Sequence, residues 1–202
     1  MQEKQFFSKH DQFILPAIRN SVIGIAGAGG LGSNIAFSLA RTGIGKLVIA
    51  DFDRIEITNL NRQQYFIDQI GKPKVEALKE NLERINTFST YEIHFEKITP
   101  QNVIEIYEEV DILVEAFDKA EMKQMLIENW VTTFPNKPII IGSGLAGFGH
   151  NEMLHTRKID NLYICGDEIT DIEEGISPMA ARVGIVANMQ ANLVLEVLLR
   201  KT

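Results

Sequence analysis

A chain of 202 residues, 45% hydrophobic and 23% charged, has the make-up of a globular protein that buries a substantial core. Its formal net charge of −7 excludes a broad cationic surface of the kind that binds nucleic acid or anionic membrane, but leaves room for a small basic pocket. A lone cysteine, Cys165, excludes an internal disulfide, and the opening MQEKQFFSKHDQ lacks a signal-peptide pattern, so a reducing cytoplasm is the expected setting.

Residues 21–26 (SVIGIA) form a short apolar run ending in glycines, the pattern of a buried strand. Residues 31–41 read as a helix stopped by Gly43, and Lys46–Ala50 (KLVIA) as a second buried strand. Pro73 is placed as a first-turn proline, after which Val75, Leu78, Leu82 and Ile85 recur on one helical face. Residues 91–95 alternate as a third strand, 102–109 read as a helix, 111–116 (DILVEA) as a buried strand, 119–134 as a helix and 138–141 (PIII) as a strand. Strands alternating with helices predict an α/β fold, a Rossmann-like and mainly parallel sheet with helices on both faces.

After Gly142 the pattern changes. Strand-like segments at 152–157 and 161–164 lie too close together for a helical crossover and predict a C-terminal antiparallel extension of the sheet. The acids of the loop 167–175 are expected to be solvated, with a metal site there as the lesser reading. Pro178 opens a long helix to about Arg200. Arg182, Asn188, Gln190 and Glu196 interrupt its apolar run, so no segment is expected to span a bilayer. With no repeat or linker, the expectation is one domain over 1–202, with a nucleotide-binding core at about 20–145 and C-terminal strands and helix at 146–202.

GAGGLG, residues 27–32, places Gly27, Gly29 and Gly32 in the spacing G-x-G-x-x-G between a strand and a helix. The first glycine allows a tight turn, the second lets backbone approach phosphate, and the third lets helix and strand pack closely. The helix N-terminus beyond offers N–H groups and partial positive charge to an anion. Asp51, 19 residues after Gly32, stands where a carboxylate accepts bonds from ribose hydroxyls. This fingerprint does not specify the nucleotide, and NAD is its default.

The segment DFDRIEITNLNRQ followed by GKPKVEAL changes that default. With GAGGLG, the order Asp51, Asp53, Asn59, Leu60, Arg62, Gln63, Gly71 and Lys74 resembles the ThiF/MoeB/HesA family of adenylyltransferases, relatives of ubiquitin-activating enzymes. The short length looks most like the ThiF proteins of thiamine biosynthesis. The resemblance is strong over roughly 20–145 and looser beyond. Where the family usually has D-x-T-D-N, this chain reads EAFDKAEMK, so Asp118 matches and Lys119 departs from the Asn.

The resemblance implies a cytoplasmic homodimer that binds ATP and Mg²⁺. It implies adenylylation of the C-terminal glycine of a small ubiquitin-like sulfur carrier such as ThiS. Gly27, Gly29, Gly30 and Gly32 would line the nucleotide. Asp51 would hold the ribose, Asn59, Arg62 and Lys74 would contact phosphates, and Asp118 would hold Mg²⁺. Asp53 and Gln63 would either touch the nucleotide or orient the loop, and Asn61 reads as a turn residue. Fixed cations make chemical sense, since an attacking carboxylate and a triphosphate repel each other. Arg62 offers a planar fork of donors and Lys74 a point charge at a helix start. Mg²⁺ takes few protein carboxylates beside phosphate oxygens and waters.

Two family features are missing. The N-terminal R-Y-x-R-Q-like segment, whose Arg reaches a partner subunit's ATP, has no counterpart, and neither Lys9 nor Arg19 is assigned its role. One Cys with His150 and His155 cannot build the family's structural zinc site, so none is expected. Cys165 is either a small buried hydrophobe or a thiol acting downstream of adenylation. An NAD-dependent oxidoreductase and a noncatalytic carrier-binding relative remain as alternatives.

Overall fold

In the computed structural model of the chain, residues 2–170 and 175–200 are described. Apolar runs in the sequence become five parallel strands, β1 (Val22–Ala26), β2 (Lys46–Ala50), β3 (Thr90–His94), β4 (Ile112–Glu115) and β5 (Ile139–Gly142). β6 (His155–Ile159) and β7 (Leu162–Gly166) complete one seven-stranded sheet in the order β3-β2-β1-β4-β5-β7-β6. β7 runs parallel to β5, and β6 alone is antiparallel, joined to β7 by a turn in which Asp160 takes φ 52°. The order reverses at β1 and β4, whose carboxyl ends therefore flank a crevice, the usual ligand position in open α/β sheets.

Among the described residues, seven α-helices accompany the strands: α1 (Gln2–Phe6), α2 (Leu15–Arg19), α3 (Gly30–Thr42), α4 (Lys74–Glu83), α5 (Val103–Tyr107), α6 (Ala120–Thr133) and α7 (Ala180–Leu199). Alternate strand residues feed two cores. Ile23, Ile25, Leu47, Ile49 and Ile140 pack with α3, α4 and α7, whereas Ala26, Val48, Leu113, Ile139 and Ile141 pack with Tyr107 of α5 and with Leu126 and Trp130 of α6. Burial on both faces is why the central strands read as continuous apolar runs. Each fully buried Leu or Ile, such as Leu39, Ile49 and Leu78, contributes roughly 1.5–3 kcal/mol.

Several boundaries differ from expectation for local reasons. α5 is shorter than predicted, because the N–H of Val110 turns back to the carbonyl of Tyr107 and steers the chain into β4. Pro73 caps α4 rather than sitting in its first turn, and its carbonyl accepts from Ala77 at 3.1 Å. β6 starts at His155 because residues 151–153 form a 3₁₀ turn entered through His150 at φ 50°. α7 starts at Ala180, since Pro178 is held extended in a bridge to Gly147.

Two further elements bear on the expectations from sequence. α7 is, by length and mean hydropathy (1.3), apolar enough to cross a membrane despite its polar residues, but half of that window is buried within this fold. It lies along α3, with Val186, Ala187 and Val194 in the core and Asn188 accepting from Ser38 at 2.7 Å. The loop acids are not simply solvated either. Asp167 is buried against Arg182, and Glu168 pairs with Arg157 and His155. The remaining acids of that loop, at 171, 173 and 174, lie outside the described residues.

Candidate functional site

The glycine loop leaves β1 through Gly27, whose φ of 104° and whose approach to the carbonyl of Ala116 leave no room for a side chain. Gly32 is fixed by closeness, since a Cβ there would stand 1.9 Å from the carbonyl oxygen of Gly27. Gly29 differs. A Cβ at Gly29 would meet only the Nε2 of Gln63, at 3.9 Å, so its backbone faces open space. α3 starts at that point without a side-chain cap, leaving its first-turn N–H groups and the positive end of its dipole for an anion. Gly30 packs tightly, with Val183 Cγ1 at 3.3 Å and the stem of Arg62 at 3.7 Å from where its Cβ would lie.

The loop after β2 folds back over this turn and is tied to it by side chains. Asp51 accepts from the N–H of Ala28 at 2.6 Å and from its neighbour Asp53 at 2.7 Å. Burial raises the Asp51 carboxyl above the ordinary value, against the pull of Lys74 and of those two N–H groups. Lys74, at the start of α4 and 7% exposed, donates to Asp53 at 2.7 Å. Asp53 is thus the counter-ion that lets an ammonium be buried there.

Arg62 donates to the carbonyl of Thr58 at 3.2 Å and to Asn61 at 2.8 Å, which, among the described residues, leaves further donors of its fork uncommitted. Asn61 therefore steadies Arg62, a role beyond that of a turn residue. Asn59 accepts from the N–H of Glu56 at 3.0 Å, so its oxygen caps the 3₁₀ turn and its amide N–H₂ is the group left for a phosphate. Gln63 is buried beside Gly29, and its Oε1 has no hydrogen-bond partner among the described residues. An orphaned buried acceptor is costly unless a donor arrives.

Across the crevice, the loop after β4 carries Ala116 and Phe117 against Gly27, and Asp118 follows, exposed at the carboxyl end of the sheet. Lys119 caps α6 and is exposed. The donor set fits a magnesium nucleotide: open N–H groups and two cations for phosphates, a half-buried carboxylate at the end of β2 and one exposed carboxylate for the metal. Among the described residues, no group of three or more His, Cys, Asp or Glu could hold a metal by itself.

Residues not assigned from the sequence shape this site. Tyr65 donates to the carbonyl of Ala28 at 2.7 Å. Ser33 donates to the carbonyl of Gly29 at 2.7 Å and accepts from Gln64, while Asn34 donates to the carbonyls of Gly30 and Arg62. An aromatic hydroxyl two residues after Gln63 was the available signal for Tyr65; the others had none. Other candidates lie elsewhere. Cys165 is fully buried with Sγ 3.8 Å from Thr156 Oγ1, and burial pushes its thiol up to about 11, so it is protonated at neutral pH and weakly nucleophilic. Arg19 is held by Glu3 at 2.7 Å and the carbonyl of Phe88 at 2.8 Å.

A glycine loop at the β1–β4 crevice, with an acidic strand end and a cationic return loop, marks an open α/β fold of the Rossmann-like class. The ThiF family pattern matches residues 4–202, and the chain belongs to that family. It is 31% identical over 188 residues to the adenylyltransferase and sulfurtransferase MOCS3 of Caenorhabditis briggsae, covering 89% of this chain and 46% of that protein. It is 29% identical over 161 residues to the sulfur carrier protein adenylyltransferase of Thermus thermophilus, covering 72% and 58%. This chain thus matches about half the length of these curated relatives. In structure it is similar to the tRNA N6-threonylcarbamoyladenosine dehydratase TcdA of E. coli, with a TM-score of 0.88 at 20% identity over 98% of this chain and 95% of that one. The same dehydratase in complex with ATP aligns with a TM-score of 0.87 at 19% identity, over 98% and 93%.

Proposed function

We infer that this protein is an adenylyltransferase that binds ATP with Mg²⁺ and activates a carboxylate. The observation that carries the reading is the open backbone at Gly29 on the uncapped start of α3, flanked by Arg62 and tied through Ala28, Asp51 and Asp53 to buried Lys74. A dinucleotide presents a shorter phosphate chain and needs no metal, so two cations together with the exposed Asp118 suit Mg-ATP better.

In this reading Asp51 accepts from the ribose, and the α3 N-terminus, Arg62, Lys74 and the amide of Asn59 hold phosphates. Asp118 is the protein ligand of Mg²⁺, which offsets phosphate charge when bound. A carboxylate oxygen of the substrate bonds to the α-phosphorus as the bond to the β-phosphate bridge breaks, and pyrophosphate leaves. The protein's part is to place fixed positive charge where phosphate charge grows, worth several kcal/mol in a closed site. The substrate we infer is the C-terminal glycine of a ThiS-like sulfur carrier, as in thiamine biosynthesis, with a cytoplasmic homodimer as the acting form. The Thermus thermophilus relative, named a sulfur carrier protein adenylyltransferase, supports the carrier class. Cys165 is a structural residue in this scheme.

The test is ATP–pyrophosphate exchange with purified ThiS-like carrier. Exchange that needs ATP, Mg²⁺ and an intact carrier C-terminus is expected. Stabilisation by NADH without a response to Mg-ATP would overturn the reading.

A further inference from the structure

One buried charge lies beside the site and has no part in the scheme above. Glu115, the last residue of β4, is 0% exposed. Its Oε1 accepts from the N–H of Phe117 at 2.7 Å, and its Oε2 lies 2.9 Å from the ammonium of Lys123 in the first turns of α6. Oε2 takes no aligned hydrogen bond; the ammonium donates instead to the carbonyl of Gly142, the last residue of β5. Gln190 of α7 donates to the main-chain oxygen of Glu115 at 3.1 Å. Four elements thus meet around Glu115 and Lys123, and the Glu115 carboxylate holds the turn leading from β4 to Asp118.

An ion pair in this place is a poor device for stability alone. Replacing a buried pair with well-packed apolar residues is often neutral or stabilising. What the carboxylate supplies is orientation. The Phe117 N–H bond bends the chain out of the strand, so that Ala116 and Phe117 close against Gly27 and Asp118, the next residue, is exposed beyond the carboxyl end of β4.

We propose that Glu115, held by Lys123, is a positioning residue that sets Asp118 for the magnesium nucleotide. The proposal rests on the ATP reading of the site. Groups that orient a metal ligand act on metal affinity through that ligand.

The test needs no carrier. Thermal unfolding of the protein is followed at fixed ATP while MgCl₂ is titrated, and the Mg²⁺ concentration for half-maximal stabilisation is read. Glu115→Gln is expected to raise that concentration roughly 10-fold or more. In a Glu115→Gln/Asp118→Asn double variant the rise is no greater than in Asp118→Asn alone, because both act on one interaction. Should Glu115→Gln not fold, Lys123→Gln, altered at a part-exposed position, gives the same upward shift. A folded variant with a lower melting temperature but an unchanged Mg²⁺ requirement overturns the proposal and leaves the pair a purely structural one. A wild type that ATP does not stabilise in a Mg²⁺-dependent way overturns the nucleotide reading itself, a failure seen before any variant is made.

Discussion

Two glycines of one loop should fail in opposite ways when each is given a methyl group. At Gly29 an added Cβ meets only the Nε2 of Gln63, at 3.9 Å, and the backbone φ of −81° lies outside the left-handed region. The remaining cost is that of Ala as a helix N-cap, about 1 kcal/mol. At Gly32 the added Cβ would stand 1.9 Å from the carbonyl oxygen of Gly27 and 3.3 Å from the Cβ of Ala116, so backbone must move. Overpacking of this kind costs roughly 1–3 kcal/mol or more, against which the better helix propensity of Ala returns only about 1 kcal/mol.

The nucleotide response should run the other way. At an ATP concentration about 100 times its Kd, binding stabilises the native state by about 2.7 kcal/mol, a melting shift of roughly 5–11 °C for a chain of this size. If the Gly29 methyl weakens binding about 100-fold by filling the approach to phosphate, the residual stabilisation is about 0.4 kcal/mol, or roughly 1–2 °C. Differential scanning fluorimetry with and without Mg-ATP measures both quantities. Gly29→Ala should melt near wild type without ligand and barely respond to it, whereas Gly32→Ala should melt well below wild type before ligand is added. A full ATP response in Gly29→Ala would refute the assignment of that open space to phosphate.

Three other outcomes are expected. Arg62→Ala and Lys74→Ala should lower pyrophosphate exchange by about 10²–10³-fold. Arg62→Ala should unfold within about 0.5 kcal/mol of wild type, since among the described residues its guanidinium bonds to Thr58 and Asn61 alone; equal exchange in both variants and wild type would remove them from the site. Arg182→Ala should cost about 3–5 kcal/mol by stranding the buried Asp167 carboxylate. Burial raises the Asp167 carboxyl, but the bonds from Thr170 and Ile169 and the charge of Arg182 outweigh it and leave it below the ordinary value. Its stabilising contribution is therefore complete above the ordinary Asp range, near about 3.9, and is lost as pH falls through the lowered value. Denaturant midpoints of Asp167→Asn and wild type should accordingly differ at pH 7 and converge in strong acid. Finally, Cys165 should resist iodoacetamide at pH 7.5 until the protein is unfolded, and Cys165→Ser should keep its exchange activity while losing stability by about 1–3 kcal/mol. Rapid labelling of the folded protein would contradict the buried thiol.

The α/β class and most strands were legible because they rest on local pattern. KLVIA and DILVEA are apolar on both faces, which happens where a parallel sheet is covered on both sides, and the predicted strands 46–50 and 111–116 lie at β2 and β4. Element ends were less legible. The start of β6 depends on His150 taking a left-handed conformation, and that of α7 on a bridge between Pro178 and Gly147, 31 positions apart.

For the candidate site, the sequence by itself determined the glycine spacing and the chain order of Asp51, Asp53, Asn59, Arg62, Gln63, Lys74 and Asp118. Gly27 and Gly32 are dictated by backbone angle and by close approach within six residues, which is short-range geometry that a sequence can encode openly. Only the tertiary structure decided how the charges are spent. It pairs Lys74 with Asp53, Arg182 with Asp167 and Lys123 with Glu115, and it hangs the glycine loop from Tyr65. Whether a carboxylate is solvated, paired or left to face a ligand depends on which distant side chain arrives within about 3–4 Å of it, where removal from water multiplies the strength of each charge. That arrangement is set by the packing of helices on the sheet, and no local pattern around Asp167 or Glu115 carries it.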